Sequence, residues 1–182
     1  NACDQLNGIG MLYILTGGSF YLLTVYGKNR FVVVPCLQIV GDRALLFKWK
    51  GKTDGAPAVM MSHYDVVPVN EDAWDVPAFE AVIKDGCVWG RGTLDTKVTF
   101  SSILFAADHL ISEEFTPEND IYFAFSGGEE VNGNGAPNIV KYFEEQGLNP
   151  SMVVDEGGAV VENVFPGVKA PCGLIGIAEK GM

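Results

Sequence analysis

An α/β fold is what this sequence predicts: three layers, with a largely parallel mixed sheet flanked by helices. Three observations carry it. From about Leu45 onward, short apolar runs alternate with segments of helical period, as in strand–helix–strand units. The 182 residues are about one ordinary domain, enough chain to bury a core. With 48% hydrophobic and 19% charged residues, the composition is globular rather than disordered.

The elements follow in order. Ile9 to Tyr26 carries no charged residue. A spanning helix of that length would be marginal, and Gly17-Gly18-Ser19 would break it. A signal peptide would need a basic start, yet Lys28 and Arg30 follow the apolar run. Two apolar strands joined by a tight turn fit better. Ala44 to Trp49 is a short apolar run, and residues 51–55 (GKTDG) are turn chemistry. Ala58 to Ser62 reads as a buried strand ending at His63, and Cys87 to Trp89 as another leading into Gly90-Arg91-Gly92.

A helix is expected next. Phe100, Ile103, Leu104, Ala107, Leu110 and Ile111 fall on one face of a 3.6-residue period. Asp120 to Phe125 is strand-like and ends in Ser-Gly-Gly-Glu-Glu. Asn138 to Gln146 suits a second helix closed near Gly147, and Ser151 to Val154 a buried strand ending at Asp155. Residues 1–44 are set apart as an N-terminal segment holding the hairpin. The chain starts at Asn1 and stops at Met182, and we expect a piece of a longer protein.

Charge narrows the partners. Twelve Lys+Arg against 23 Asp+Glu leave a net charge of −11, which repels nucleic acid and anionic membrane surfaces. The four cysteines are far apart with no Cys-x-x-Cys pair, which argues against a zinc ribbon, a redox dithiol or a disulfide framework. No export signal is visible, so the cytoplasm is the expected compartment.

The acids at the strand ends are the informative feature. His63 and Asp65 close one expected strand, Asp95 follows the next, Glu129-Glu130 close the third and Asp155 the fourth. Ligands of open α/β sheets gather beyond the carboxyl ends of strands. Alone, each item is ordinary: a satisfied histidine, a solvated Glu-Glu pair, an aspartate in a turn. Together they place five carboxylates and one imidazole on one edge, a cost that a divalent cation relieves. Residues i and i+2 of an extended segment face the same way, so Asp65 can stand behind His63 and fix its tautomer. Glu129 and Glu130 diverge, so one can bind metal while the other reaches the attacking water. A helix from near Thr96 puts His109 about 20 Å along its axis, remote from that edge.

These residues resemble a known family. MSHYDVVPV (61–69), VWGRGTLDTK (88–97), FSGGEEVNGNGA (125–136) and VVDEGG (153–158) look like the co-catalytic zinc peptidases that include aminoacylase, carboxypeptidase S and the desuccinylases. PGVKAPCGLIGIAEKG (166–181) looks most like the carboxypeptidase S branch. The match runs from about Leu45 to Met182, and implies that 45–182 is the N-terminal part of a catalytic domain. The resemblance implies His63 and Asp155 on one metal, Glu130 on a second, and Asp95 bridging the two. It makes Glu129 the general base and later proton donor, with Asp65 orienting His63, and it implies an often cis peptide after Asp95.

The family's two divalent ions are zinc by resemblance, and cobalt or manganese could fill the same donor set. The implied reaction is cleavage of an amide bond in a small peptide or N-acyl amino acid. Three departures stand. The second metal's further His lies beyond a lid domain inserted near where this chain stops, and no such His is in this sequence. Val98-Thr99 replaces the family's glycine-containing helix start, and residues 1–30 do not resemble the family. Oligomeric state is open, with a homodimer through that lid as one option.

Other readings explain less. A non-catalytic binding module would have no need of Glu129 and the intact ligands; an inactive fragment is the other alternative, since these 182 residues are expected to hold only half of the machinery. A serine nucleophile at Ser126 fails the Gly-x-Ser-x-Gly pattern at Ala124, and no His follows it. Gly-Arg-Gly at 90–92 lacks the third glycine of a dinucleotide fingerprint, and there is no Gly-Lys-Ser/Thr loop.

Overall fold

The computed structural model describes the backbone of residues 9–16, 19–26 and 30–177 and the side chains of 38–177. The Gly17-Gly18 turn, Cys3, the Cys36 side chain and the 178–182 end of the last family-like segment lie outside the described residues. In chain order the elements are β1 (Ile9–Thr16), β2 (Ser19–Tyr26), β3 (Arg30–Val40), β4 (Ala44–Trp49) and β5 (Ala58–His63). The hairpin β6 (Val82–Lys84) and β7 (Cys87–Trp89) follows, then α1 (Val98–Ser112), β8 (Ile121–Ser126), α2 (Gly135–Glu145) and β9 (Met152–Val154). The short pair β10 (Val160–Val161) and β11 (Cys172–Gly173) comes last.

Seven strands form the main sheet in the order β1-β2-β3-β4-β8-β5-β9. β1 and β2 pair antiparallel with Thr16 opposite Ser19. The helices cover both faces, as the α/β class requires. Along β4 and β8 successive residues pack to opposite sides. Phe47, Trp49, Phe123 and Phe125 join Phe100, Leu104 and Ala107 of α1. Ala44, Leu46, Tyr122 and Ala124 join Ile139 and Phe143 of α2. Burial on both faces explains why these strands read as continuous apolar runs, each large side chain adding about 1.5–3 kcal/mol.

The sheet is mixed, and its parallel share is smaller than the largely parallel sheet expected. Only β8–β5 and β5–β9 run parallel, while the four pairings from β1–β2 to β4–β8 are antiparallel. Tight connections such as residues 41–43 can join only antiparallel neighbours, and parallel pairs need the crossovers through α1 and α2. A second correction concerns β7, which pairs with β6 in its own small sheet. Asp95 is therefore delivered by the turn after β7 and not by a strand end of the main sheet.

Helix α1 buries Phe100, Leu104 and Ala107, on the face its period defines. Helix α2 starts at Gly135, ahead of the expected Asn138, with Pro137 in its first turn, where a missing N–H costs nothing. It stops at a glycine with φ +65°: Gly147 N–H donates to Glu144 O, and Leu148 N–H to Phe143 O at 2.8 Å. Among the described residues no helix is long and apolar enough to cross a membrane.

At the end of the sheet where β8 begins, Asp120 holds the 50–55 turn. Its buried carboxylate accepts the Gly51 N–H at 2.8 Å and pairs with Lys48 at 2.7 Å and Lys50 at 3.3 Å. At the other end the parallel register sets His63 opposite Ser126, so the residues after β5 and after β8 leave the sheet together.

Candidate metal centre

His63 closes β5 and is 2% exposed. Its Nε2 lies 2.9 Å from Asp95 Oδ1, 3.5 Å from Glu156 Oε1 and 4.0 Å from Glu129 Oε2. Its Nδ1 lies 3.1 Å from the carbonyl oxygen of Asp65 and 3.5 Å from Asp65 Oδ1. Both ring nitrogens thus face acceptors. Burial pushes the imidazole pKa down, but the Asp95 hydrogen bond, the Glu156 charge and the Asp65 groups outweigh it and hold it above its ordinary value.

Asp95 reaches this point through the Thr93–Lys97 turn, where Asp95 (φ −113°, ψ 94°) and Thr96 (φ −135°, ψ 37°) leave helical geometry. The Asp95–Thr96 peptide is cis, as the resemblance implies. Gly92 (φ +80°) opens the turn, and a Cβ there would run into Val66 Cγ1. Lys97 Nζ donates to Tyr64 O at 2.8 Å, tying the Asp95 turn to the residue after His63.

Glu156 follows β9. Its carboxylate accepts from Thr96, whose side chain is buried, and its N–H donates to Asp155 Oδ1 at 2.9 Å. Burial raises the Glu156 pKa, and the Asp95 and Asp155 charges add to it, against the lowering effect of Thr96 and His63.

Glu129 and Glu130 sit in the 3₁₀ turn Glu129–Val131, framed by Gly128 (φ +85°) and Asn132 (φ +53°). Their N–H groups donate to the two oxygens of Asp65, each at 3.1 Å. These bonds, with one from Gly128, overcome burial and hold the Asp65 carboxyl below its ordinary value.

The donors converge unevenly. His63, Asp95 and Glu156 each offer one atom, and the three atoms lie within 4.8 Å of one another. Donors about 2.0–2.2 Å from a tetrahedral zinc sit roughly 3.3 Å apart, close to the 2.9 and 3.5 Å found around Nε2. One imidazole and two carboxylates fit a hard or borderline divalent ion, which would take the place of the Nε2 proton. Glu130 stands outside this group, and among the described residues no second such group occurs. The Asp155 carboxylate is turned to the Glu156 N–H. His109 is exposed on α1 and faces Glu113 at 3.6 Å.

Glu156, which the structure brings within 3.5 Å of His63 Nε2, is not among the residues the sequence reading names. Asp155 and Glu156 are adjacent acids after a three-residue strand, and period-two alternation over so short a strand does not choose between them. The adjacency itself was the available signal.

Comparison with known proteins places these residues in context. Residues 59–172 match the model of "Peptidase family M20/M25/M40". The chain is 41% identical over 150 residues to a probable carboxypeptidase S-like 2 of Dictyostelium discoideum, covering 80% of this chain and 29% of that protein. It is 34% identical over 168 residues to the human N-fatty-acyl-amino acid synthase/hydrolase PM20D1, covering 87% of this chain and 34% of that one. The chain thus spans about a third of these relatives or less. Among solved structures, an M20 family metallo-carboxypeptidase, Sso-CP2 from Sulfolobus solfataricus, superposes with a TM-score of 0.55 at 26% identity, covering 70% of this chain and 29% of that one.

Proposed function

The chain belongs to peptidase family M20/M25/M40, and from that membership we propose that it supplies the first metal-binding half of a hydrolase that cleaves the amide bond of a small peptide or N-acyl amino acid. The observation that carries the reading is the meeting of His63, Asp95 and Glu156 beside the Glu129 carboxylate. The relatives' names, carboxypeptidase S-like and N-fatty-acyl-amino acid synthase/hydrolase, support that substrate class.

In this reading His63, Asp95 and Glu156 hold the first ion, with Asp155 behind Glu156, and zinc is the expected metal. A bound divalent ion supplies positive charge that polarises an amide carbonyl and acidifies water. Lone-pair direction fits His63 for this: with Nδ1–H donating to Asp65 O, Nε2 is free to bind. Glu129 takes a proton from the attacking water and returns it to the departing nitrogen. Its 52% exposure leaves it open to a substrate. Glu130 holds a second ion together with a histidine from outside residues 45–182, which form the N-terminal part of the catalytic domain. A lid domain from the rest of the protein closes over the substrate and offers a homodimer surface.

The test uses the full-length protein, loaded with zinc, on dipeptides and N-acyl amino acids. Hydrolysis by wild type is expected, with Glu129→Gln losing about 10²–10⁴ in kcat while zinc content is kept. Full activity in Glu129→Gln, or activity indifferent to chelators, refutes this reading.

A further inference from the structure

The carboxylate of Asp65 faces the Glu129–Val131 turn more closely than it faces His63. Oδ1 accepts the Glu129 N–H and Oδ2 the Glu130 N–H, each at 3.1 Å. The acceptor nearest His63 Nδ1 is the main-chain carbonyl of residue 65, at 3.1 Å, against 3.5 Å for the carboxylate. A carbonyl is supplied by any residue at that position. A pair of oxygens that reaches two consecutive amides is not.

The turn needs such a hold. Of its own hydrogen bonds only Gly133 N–H to Gly128 O is short, at 2.6 Å; Val131 N–H to Gly128 O is 3.4 Å and Asn132 N–H to Glu129 O is 3.3 Å, and none of them uses the N–H of Glu129 or Glu130. First-turn N–H groups have no partner within a helix. Two charge-assisted bonds from one carboxylate satisfy both and fix the orientation of the peptide planes between them. The neighbouring residue grips the same segment: Tyr64 N–H donates to Ser126 O at 3.0 Å, and a Cβ on Gly127 would meet Tyr64 Oη at 2.5 Å.

We propose that Asp65 is a positioning residue for Glu129: its two oxygens hold the backbone of the turn that carries the proton-transferring carboxylate, while the tautomer of His63 is set by the Asp65 main chain. This assigns Asp65 a partner different from the histidine its family resemblance implies. The proposal rests on the hydrolase reading for its kinetic consequence, and on geometry alone for the anchoring.

The experiment compares wild type with Asp65→Asn and Asp65→Ala in the full-length protein. Asn keeps the size but turns one acceptor into a donor against an N–H, and Ala removes both. Amide hydrogen exchange over residues 127–133, zinc affinity by chelator competition, and kcat with KM are measured. Exchange at Glu129 and Glu130 is expected to rise about tenfold or more in both variants. Zinc affinity is expected to stay within about threefold, where loss of a histidine-orienting partner costs about 10–100-fold. On substrate, kcat is expected to fall about 100-fold with KM little changed. Unchanged exchange at the turn overturns the proposal, as does a loss of zinc affinity that by itself accounts for the fall in kcat. A wild type that cleaves no amide, with exchange still raised in the variants, refutes the hydrolase reading and leaves the anchoring standing.

Discussion

Nε2 of His63 stands 2.9 Å from Oδ1 of Asp95, although 32 residues separate them in the chain. A buried imidazole beside two carboxylates is a proton-bound version of a metal site, and the proton and the metal compete for the same nitrogen.

Zinc should therefore stabilise the fold. At a free concentration of 100 times Kd the expected gain is about 2.7 kcal/mol, read as a rise in Tm. His63→Ala or Asp95→Ala should abolish the rise. The rise should also fade on acidification, because protonated imidazole cannot ligate. Since His63 is held above its ordinary value, competition begins above pH ~6.5. A zinc-dependent shift that is the same at pH 5 and pH 8 contradicts the site.

Glu156 and Asp155 should differ as ligands. Glu156 lies 3.5 Å from His63 Nε2, whereas Asp155 is turned to the Glu156 N–H. Glu156→Ala is expected to weaken zinc binding by more than Asp155→Ala does, the latter losing about tenfold as a supporting partner. Calorimetric titration of both variants decides, and the reverse order would return the ligand role to Asp155.

Asp120 gives a pH signature at the opposite end of the sheet from His63. Burial raises its pKa, but Lys48, the Gly51 N–H and Lys50 outweigh burial and hold it below its ordinary value. A lowered folded pKa means that the unfolded chain takes the proton first as pH falls. The contribution is complete at neutral pH and is lost below pH ~4. Asp120→Asn is expected to cost about 1–3 kcal/mol at pH 7 in denaturant melts. That difference should shrink as pH drops from 4 to 2, and a constant difference would show that the charge is not responsible.

Phe125 is the test of the core. It is 0% exposed, with ring centroids 4.4 Å from Phe100 and 5.9 Å from Phe47. Phe125→Ala is expected to cost about 3–5 kcal/mol, measured by urea unfolding. A loss below about 1 kcal/mol would mean that the sheet and α1 are not packed as described.

Most elements could be read from the sequence because β4, β5 and β8 are apolar runs bounded by turn residues, and α1 keeps its period through Phe100, Leu104 and Ala107. Direction was harder. Nothing in a strand's composition says whether its neighbour runs with it, so beyond the hairpin expected over Ile9 to Tyr26 the antiparallel run on through β3, β4 and β8 is not legible in the sequence. His63 and Glu129 could be placed because β5 and β8 lie side by side in register. Asp95 reached the site by a kinked turn instead of a strand end, a path with no sequence period. The Asp65 bonds to Glu129 and Glu130 were invisible for a plainer reason: their donors are backbone amides, which every residue but proline carries.

Strand β8 lies between β4 and β5 in the sheet, yet follows both in the chain. A growing polypeptide thus carries two apolar strands with a gap between them until Ile121 to Ser126 has been made. At roughly 5–20 residues per second, the stretch between β5 and β8 takes several seconds to synthesise. During that interval the edges of β4 and β5 that β8 will pair are open to other chains. Glu129 is made later still, so a ribosome-bound chain can collect His63 and Asp95 but not the carboxylate beside them. The candidate centre is therefore complete only after β8 and β9 have been made, because Glu156 follows β9.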